Sequence, residues 1–137
     1  MIKVLFVCVH NSGRSQMAEA FFKRHAAGEA IACSAGTCPA SHVDRNVVEA
    51  MREIGIDISK QMPKILIPGM IEDADRVVTM GCMAEEVCPA LFIPTEDWHI
   101  EDPEGQSIEK VREIRDEIEG KVKLLLRGML EKEIVGE

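Results

Sequence analysis

The chain has 137 residues, 46% of them hydrophobic and 29% charged, which is enough for one packed core and reads as a single soluble domain spanning 1–137. Its net charge of −8 argues against nucleic acid or an anionic membrane as general partner, and no apolar run approaches the roughly 18 residues of a membrane span. Five cysteines, an odd number, with no signal-peptide pattern at the N-terminus, point to thiol chemistry in a cytoplasmic protein rather than a disulfide scaffold.

Ile2-Lys3-Val4-Leu5-Phe6-Val7 reads as a buried parallel strand, and Ser15, Met17, Ala18, Phe21, Phe22 and Ala26 follow at helical spacing. Between them lies a short loop that begins at Cys8 and ends six residues later at Arg14. Asn11 and Gly13 are residue types that tolerate positive φ in such a loop. The backbone amides of Val9, His10, Asn11, Ser12, Gly13, Arg14 and Ser15 can point inward at the positive end of the helix and cradle a tetrahedral oxyanion. Arg14 closes the cradle with a planar, permanently charged fork. The same field favours the thiolate of Cys8, aimed at the bound anion as a nucleophile. His10 reads as a solvent-facing residue of this loop.

Ala30 to Ala35 forms the second predicted strand, with Cys33 inside it, and Gly36-Thr37-Cys38-Pro39 ends it in a loop. A helix follows with Val47, Val48, Met51 and Ile54 on one face, capped near Asp44 and stopped at Gly55. Residues 57–73, with Pro63, Pro68 and Gly69, read as connecting loop and short helix. Ala74 to Met80 is the third strand and Leu91-Phe92-Ile93-Pro94 a short fourth. Ile108, Val111, Ile114, Ile118, Val122, Leu125 and Met129 then mark a long amphipathic helix, which is expected to fray from Glu131. Alternating strands and helices predict an α/β fold: one four-stranded parallel sheet with helices on both faces, Rossmann-like or flavodoxin-like. Ligands of such sheets gather at the carboxyl ends of the strands, where Cys8, Gly36, Cys38 and Cys82 fall.

Cys82 and Cys88 bracket Met-Ala-Glu-Glu-Val, a good helix-forming run. In a helix their Cα atoms would lie about 9 Å apart along the axis. A disulfide tolerates no more than about 7 Å, so bridging requires the segment to unwind. The pair can be read as a zinc half-site, which lacks two further ligands at the usual spacing, as two inert thiols, or as a redox relay with Cys8. No metal site is predicted. Farther on, Asp102 before Pro103 is the preferred proton donor for an oxygen leaving group, with Asp97 and Glu101 as weaker candidates and Trp98 assigned to packing.

The chain resembles the low-molecular-weight tyrosine phosphatase superfamily, and within it the thioredoxin-coupled arsenate reductases. The resemblance rests on the run from Cys8 to Glu19, on Ser34-Ala35-Gly36-Thr37, on Gly55-Ile56-Asp57, on Val77 to Cys82 with Cys88-Pro89, and on Asp97-Trp98 with Asp102-Pro103. Gln16, Gly13 and the absence of tyrosine, with the extra cysteine pair, favour the reductases over the phosphatases. The resemblance implies a low-molecular-weight phosphatase-like fold and a thiol relay. In that relay Cys8 attacks arsenate held by the loop and Arg14 while Asp102 protonates the leaving oxygen. Cys82 attacks Cys8 to release arsenite, and Cys88 attacks Cys82. It further implies no cofactor beyond an external dithiol reductant such as thioredoxin, a hydrogen bond from Ser15 to the Cys8 thiolate, and a loop shape fixed by Asn11. The potassium ion bound by some reductases is not expected, because the stretch after the second helix reads Gln61-Met62-Pro63-Lys64. Two other readings remain open: an aryl phosphatase using Cys8 alone, and a non-catalytic module that senses an oxyanion or binds a partner.

Overall fold

A computed structural model describes residues 1–80 and 95–135. The predicted cysteine pair, Cys82 and Cys88, and the predicted strand Leu91–Pro94 lie outside the described residues. Eight elements follow in chain order: β1 (Lys3–Cys8), α1 (Arg14–Ala26), β2 (Ile31–Gly36), α2 (Arg45–Arg52), α3 (Pro68–Asp73), β3 (Arg76–Thr79), β4 (Thr95–Asp97) and α4 (Ile108–Val135). The four strands form one parallel sheet in the order β2-β1-β3-β4. Among the described residues the first three expected strands and the expected helices are present, with ends shifted by a residue or two. The fourth strand of the described sheet is Thr95–Asp97, just after the expected position. Helical backbone in α4 continues to Val135, past the point where fraying is expected.

Strand alternation divides β1 between two cores. Val4, Phe6 and Cys8 face the larger one, built with Met17, Phe21 and Phe22 of α1, Val47 and Met51 of α2, and the Val111-to-Met129 stripe of α4. Phe6 sits edge-on to Phe22 at a 5.8 Å centroid distance and tilted against the buried Trp98, also at 5.8 Å. Leu5 and Val7 point the other way, toward Ile71 and Ala74 around α3. Helices therefore cover both faces, and each fully buried aromatic or aliphatic side chain of this size contributes about 1.5–3 kcal/mol.

Two local features aim the carboxyl ends of the strands. Asp44 caps α2, its Oδ1 accepting the amides of Asn46 at 2.8 Å and Val47 at 3.3 Å, as the sequence predicts. Cys8 pairs with Gly36 across β1 and β2. A Cβ at Gly36 would stand 2.7 Å from the Val9 carbonyl oxygen and 2.9 Å from the Asn11 nitrogen, so only glycine admits the loop after β1 this close to β2.

Candidate active site

The loop from Cys8 to Gly13 turns its carbonyls away from its own concavity, and each finds a donor. The Cys8, Val9, His10 and Ser12 carbonyls accept the amides of Thr37, Cys38, Ala40 and Asp44 at 2.7–3.2 Å. The Gly13 carbonyl accepts the Met17 amide at 2.9 Å, and the Asn11 carbonyl accepts Gln16 Nε2 at 3.2 Å. Because a peptide plane that turns its C=O outward turns the N–H of the next residue inward, the loop amides converge on one pocket. The amides of Ser12 to Ser15 find no acceptor among the described residues. This is the geometry of an anion cradle at a helix N-terminus.

Cys8 Sγ lies at the base of that cradle, 2% exposed. Asn11 donates its backbone N–H to this sulfur at 3.3 Å, and Ser15 Oγ stands 2.9 Å away. Ser15 Oγ is also held from a second side. Asn11 Nδ2 donates to Ser15 Oγ at 2.7 Å, and the same oxygen keeps a second lone pair and its own hydrogen for the contact with the sulfur, which it can donate when the sulfur is a thiolate. The Asn11 amide and the Ser15 hydroxyl thus converge on Cys8 Sγ.

Asn11 is the hub of this network. Its backbone takes φ 50°, a left-handed conformation that asparagine tolerates better than most residues. The second Nδ2 hydrogen goes to Ser34 Oγ at 3.0 Å, and Ser34 donates its own hydroxyl to Glu19 Oε1. Asn11 Oδ1 accepts the Lys64 amide at 2.8 Å and Gln16 Nε2 at 3.1 Å. All four hydrogen-bonding positions of the amide are filled, so it cannot rotate. The Glu19 carboxylate is balanced by Lys23 Nζ at 2.6 Å and Lys64 Nζ at 3.9 Å. Lys64, in the stretch where no ion is expected, thus supplies a cation to this carboxylate.

Arg14 is 7% exposed and donates Nη1 to the Ile100 carbonyl at 3.0 Å, which ties the anion loop to the segment after β4. Asp102 Oδ2 stands 3.8 Å from Arg14 Nη2, while Asp102 Oδ1 accepts the Glu104 amide at 3.0 Å. One carboxylate oxygen is therefore anchored and the other faces the guanidinium. The alternative acids are engaged elsewhere: Asp97 accepts the Thr79 hydroxyl at 2.7 Å, and Glu101 pairs with Lys110 at 3.1 Å.

Of the predicted site residues, the fold brings together Cys8, the loop from Val9 to Ser15, Arg14 and Asp102. His10 is less free than expected: its Nδ1 bonds the Cys38 carbonyl at 3.0 Å and its Nε2 lies 3.8 Å from Glu104. With Ser12, Cys38, His42, Asp44 and Glu104 it lines a cavity of about 410 Å³ beside the anion loop. Cys38 is exposed there. Cys33 is half-buried on the opposite face of the sheet, where burial pushes its thiol pKa up. Sequence reasoning missed Gln16 as a structural partner of the loop, and with it Ser34 and Glu19. Glu19 lies four residues after Ser15 on one helix face, the only local sign of the link.

Comparison with known proteins follows the same lines. The family described as low molecular weight phosphotyrosine protein phosphatase matches residues 3–135. A glutaredoxin arsenate reductase of Synechocystis is 40% identical over 131 residues, covering 92% of this chain and 97% of the relative. The structure of a thioredoxin-dependent arsenate reductase from Corynebacterium glutamicum superposes with a TM-score of 0.83 at 38% identity over 96% of this chain. This chain spans 63% of the length of that Corynebacterium protein. An arginine phosphatase from Geobacillus stearothermophilus superposes with a TM-score of 0.88 at 26% identity, covering 100% of this chain and 98% of that one.

Proposed function

Because the chain belongs to the low molecular weight phosphotyrosine protein phosphatase family, we propose that it is an arsenate reductase in which Cys8 is the nucleophile and Cys82 and Cys88 complete a thiol relay. The observation that carries the reading is the gathering of loop amides unpaired among the described residues, Arg14 and a doubly hydrogen-bonded Cys8 on one strand-to-helix loop. The names of its relatives at 40% and 38% identity, arsenate reductases both, supply the substrate. One sheet and one family match over residues 3–135 support a single domain over 1–137.

In this mechanism the Cys8 thiolate attacks arsenic, and Asp102 delivers a proton from Oδ2 so that one arsenate oxygen leaves as water. Arg14 and the amides from Val9 to Ser15, apart from that of Asn11, which is given to the sulfur, hold the remaining oxygens, and their charge is neutralised most where the transition state is most negative. Cys82 then attacks Cys8 Sγ. A Cys8–Cys82 disulfide forms while the electron pair of the S–As bond passes to arsenic, reducing As(V) to As(III) and releasing arsenite. Cys88 attacks Cys82, restores Cys8 as a thiolate and leaves a Cys82–Cys88 disulfide. An external dithiol, thioredoxin or a glutaredoxin-type carrier, reduces that bridge by exchange. No metal or organic cofactor enters these steps. No helix among the described residues is long and apolar enough to cross a membrane. The relay needs its thiols reduced between turnovers, and a cytoplasmic setting supplies that.

The test is a single turnover of fully reduced protein with arsenate and no external reductant, followed by disulfide mapping. About one arsenite per chain and a Cys82–Cys88 bridge are expected. Cys82→Ser and Cys88→Ser should each abolish thioredoxin-driven multiple turnover, and full cycling by either variant would sink the relay. A second reading, phosphatase action through a phospho-Cys8 intermediate, is favoured by the structural match to the arginine phosphatase. Strong aryl phosphate turnover, unchanged in Cys82→Ser and without arsenite release, would select it.

A further inference from the structure

We infer that Pro103 is a positioning residue that seats on the bare backbone of Gly13 and so sets where Asp102 stands over the anion loop. The inference rests on the reading of Asp102 as the proton donor. A Cβ added to Gly13 would lie 2.8 Å from Pro103 Cγ, 3.6 Å from its Cδ and 3.5 Å from Val47 Cγ2. The first distance is shorter than real carbon contacts allow, and the atom it meets belongs to a closed ring rather than to a flexible side-chain tip. Gly13 has φ −146° and ψ −85°, so the glycine does not answer to a left-handed turn, and Pro103 occupies the room in which a Cβ would stand.

The segment carrying Asp102 cannot give way at its ends. On one side Arg14 Nη1 holds the Ile100 carbonyl at 3.0 Å, and on the other Asn46 Nδ2 holds the Gln106 carbonyl at 3.2 Å. Between them the Gln106 amide bonds the Pro103 carbonyl at 3.1 Å, and the Glu104 amide bonds Asp102 Oδ1 at 3.0 Å. Proline also confines the residue before it to extended backbone, which narrows the range of Asp102 itself. A push at Pro103 therefore moves the neighbouring carboxyl rather than the ends of the segment. The displacement of Oδ2 from its place 3.8 Å from Arg14 Nη2 is what the chemistry registers. Misplacing a catalytic group by about 1 Å can cost on the order of a hundredfold in rate.

The experiment measures single-turnover arsenite release at saturating arsenate from reduced wild type, Gly13→Ala, Pro103→Ala, the double variant and Asp102→Asn. Gly13→Ala is expected to slow release by about ten- to a hundredfold. The double variant, in which the ring is gone, should return to the rate of Pro103→Ala alone, and Gly13→Ala should add little to Asp102→Asn. Should Gly13→Ala fold poorly, recovery of folding in the double variant reports the same clash. A wild-type rate in Gly13→Ala beside a slow Asp102→Asn would overturn this inference alone, as would a Gly13→Ala defect that Pro103→Ala leaves unrelieved. An Asp102→Asn variant at wild-type rate would overturn the acid assignment and this inference with it.

Discussion

Asn11 Nδ2 donates to Ser15 Oγ at 2.7 Å, and this one contact holds the Ser15 hydroxyl beside the nucleophile. Ser15 Oγ in turn lies 2.9 Å from Cys8 Sγ, so a buried amide on the loop positions a hydroxyl on the nucleophile. Glu19, Ser34, Asn11, Ser15 and Cys8 form a continuous hydrogen-bonded line from a buried carboxylate to the thiol.

Ser15→Ala removes the hydroxyl beside Cys8 Sγ, and in the proposed mechanism, where the sulfur attacks as a thiolate, a hydrogen bond to a charged group is worth about 1.5–3 kcal/mol. Arsenite release in a single turnover, and alkylation of Cys8 by iodoacetamide at neutral pH, should both slow by about ten- to a hundredfold. Mass spectrometry of the Cys8 peptide follows the second rate. Wild-type alkylation kinetics in Ser15→Ala would refute a part for this hydroxyl in activating the thiol.

Gln16 is 2% exposed and its Nε2 reaches Asn11 Oδ1, the Asn11 carbonyl and the Met62 carbonyl at 3.1–3.4 Å. Gln16→Leu keeps the bulk but leaves those acceptors short of a donor, at about 1–3 kcal/mol. Urea unfolding should show that loss, and arsenate should protect Cys8 from alkylation only at higher concentration because the loop hub is looser. Unchanged stability and protection would mean that Asn11 is held well enough by Ser34 and Lys64.

Glu53 joins α2 to α4. Arg112 binds it with Nε and Nη2, and Arg115 Nη1 reaches it at 3.0 Å while also holding the Ala50 carbonyl at 2.8 Å. The side-chain hydrogen bond from Arg112 is the main cause that holds the Glu53 carboxyl below its ordinary value of 4.5, with Arg115 adding to it. A depressed folded-state value means stability that is present above that ordinary value and is lost as pH falls through the lower, folded one. Thermal midpoints of wild type should therefore drop between pH 5 and pH 3 more steeply than those of Glu53→Gln. Parallel curves would show that the clamp has no part in acid sensitivity.

The three described cysteines should differ in reactivity toward iodoacetamide. Cys33, half-buried and pushed to a higher pKa by burial, should be modified slowest at pH 7.5, while exposed Cys38 reacts without arsenate protection. Arsenate should shield Cys8 and leave Cys38 unchanged. Mass spectrometry of peptides after timed quenching separates the three, and fast labelling of Cys33 would contradict its burial.

Local sequence determined the parts of this protein whose physics is local. Val4 to Val7 is an apolar run that only a two-sided sheet can bury, Asp44 is a cap placed before a helical stripe, and Cys8 and Arg14 bracket a strand-to-helix turn. The stripe from Ile108 to Met129 repeats every three or four residues and could only be a long helix with one buried face. Only the tertiary structure decided β4. Thr95-Glu96-Asp97 carries no apolar alternation, and its pairing with β3 is accompanied by Arg76–Glu96 and Thr79–Asp97 contacts made across the strands. The same holds for the hub of Gln16, Asn11, Ser34 and the Lys64 amide, and for Pro103 on Gly13. These contacts join residues 5 to 90 positions apart, and hydrogen bonds and ring contacts act over a few ångströms with no periodic trace in the chain. Secondary structure and the nucleophile's loop follow from neighbours in sequence, whereas the orientation of Ser15 and Asp102 follows from neighbours in space.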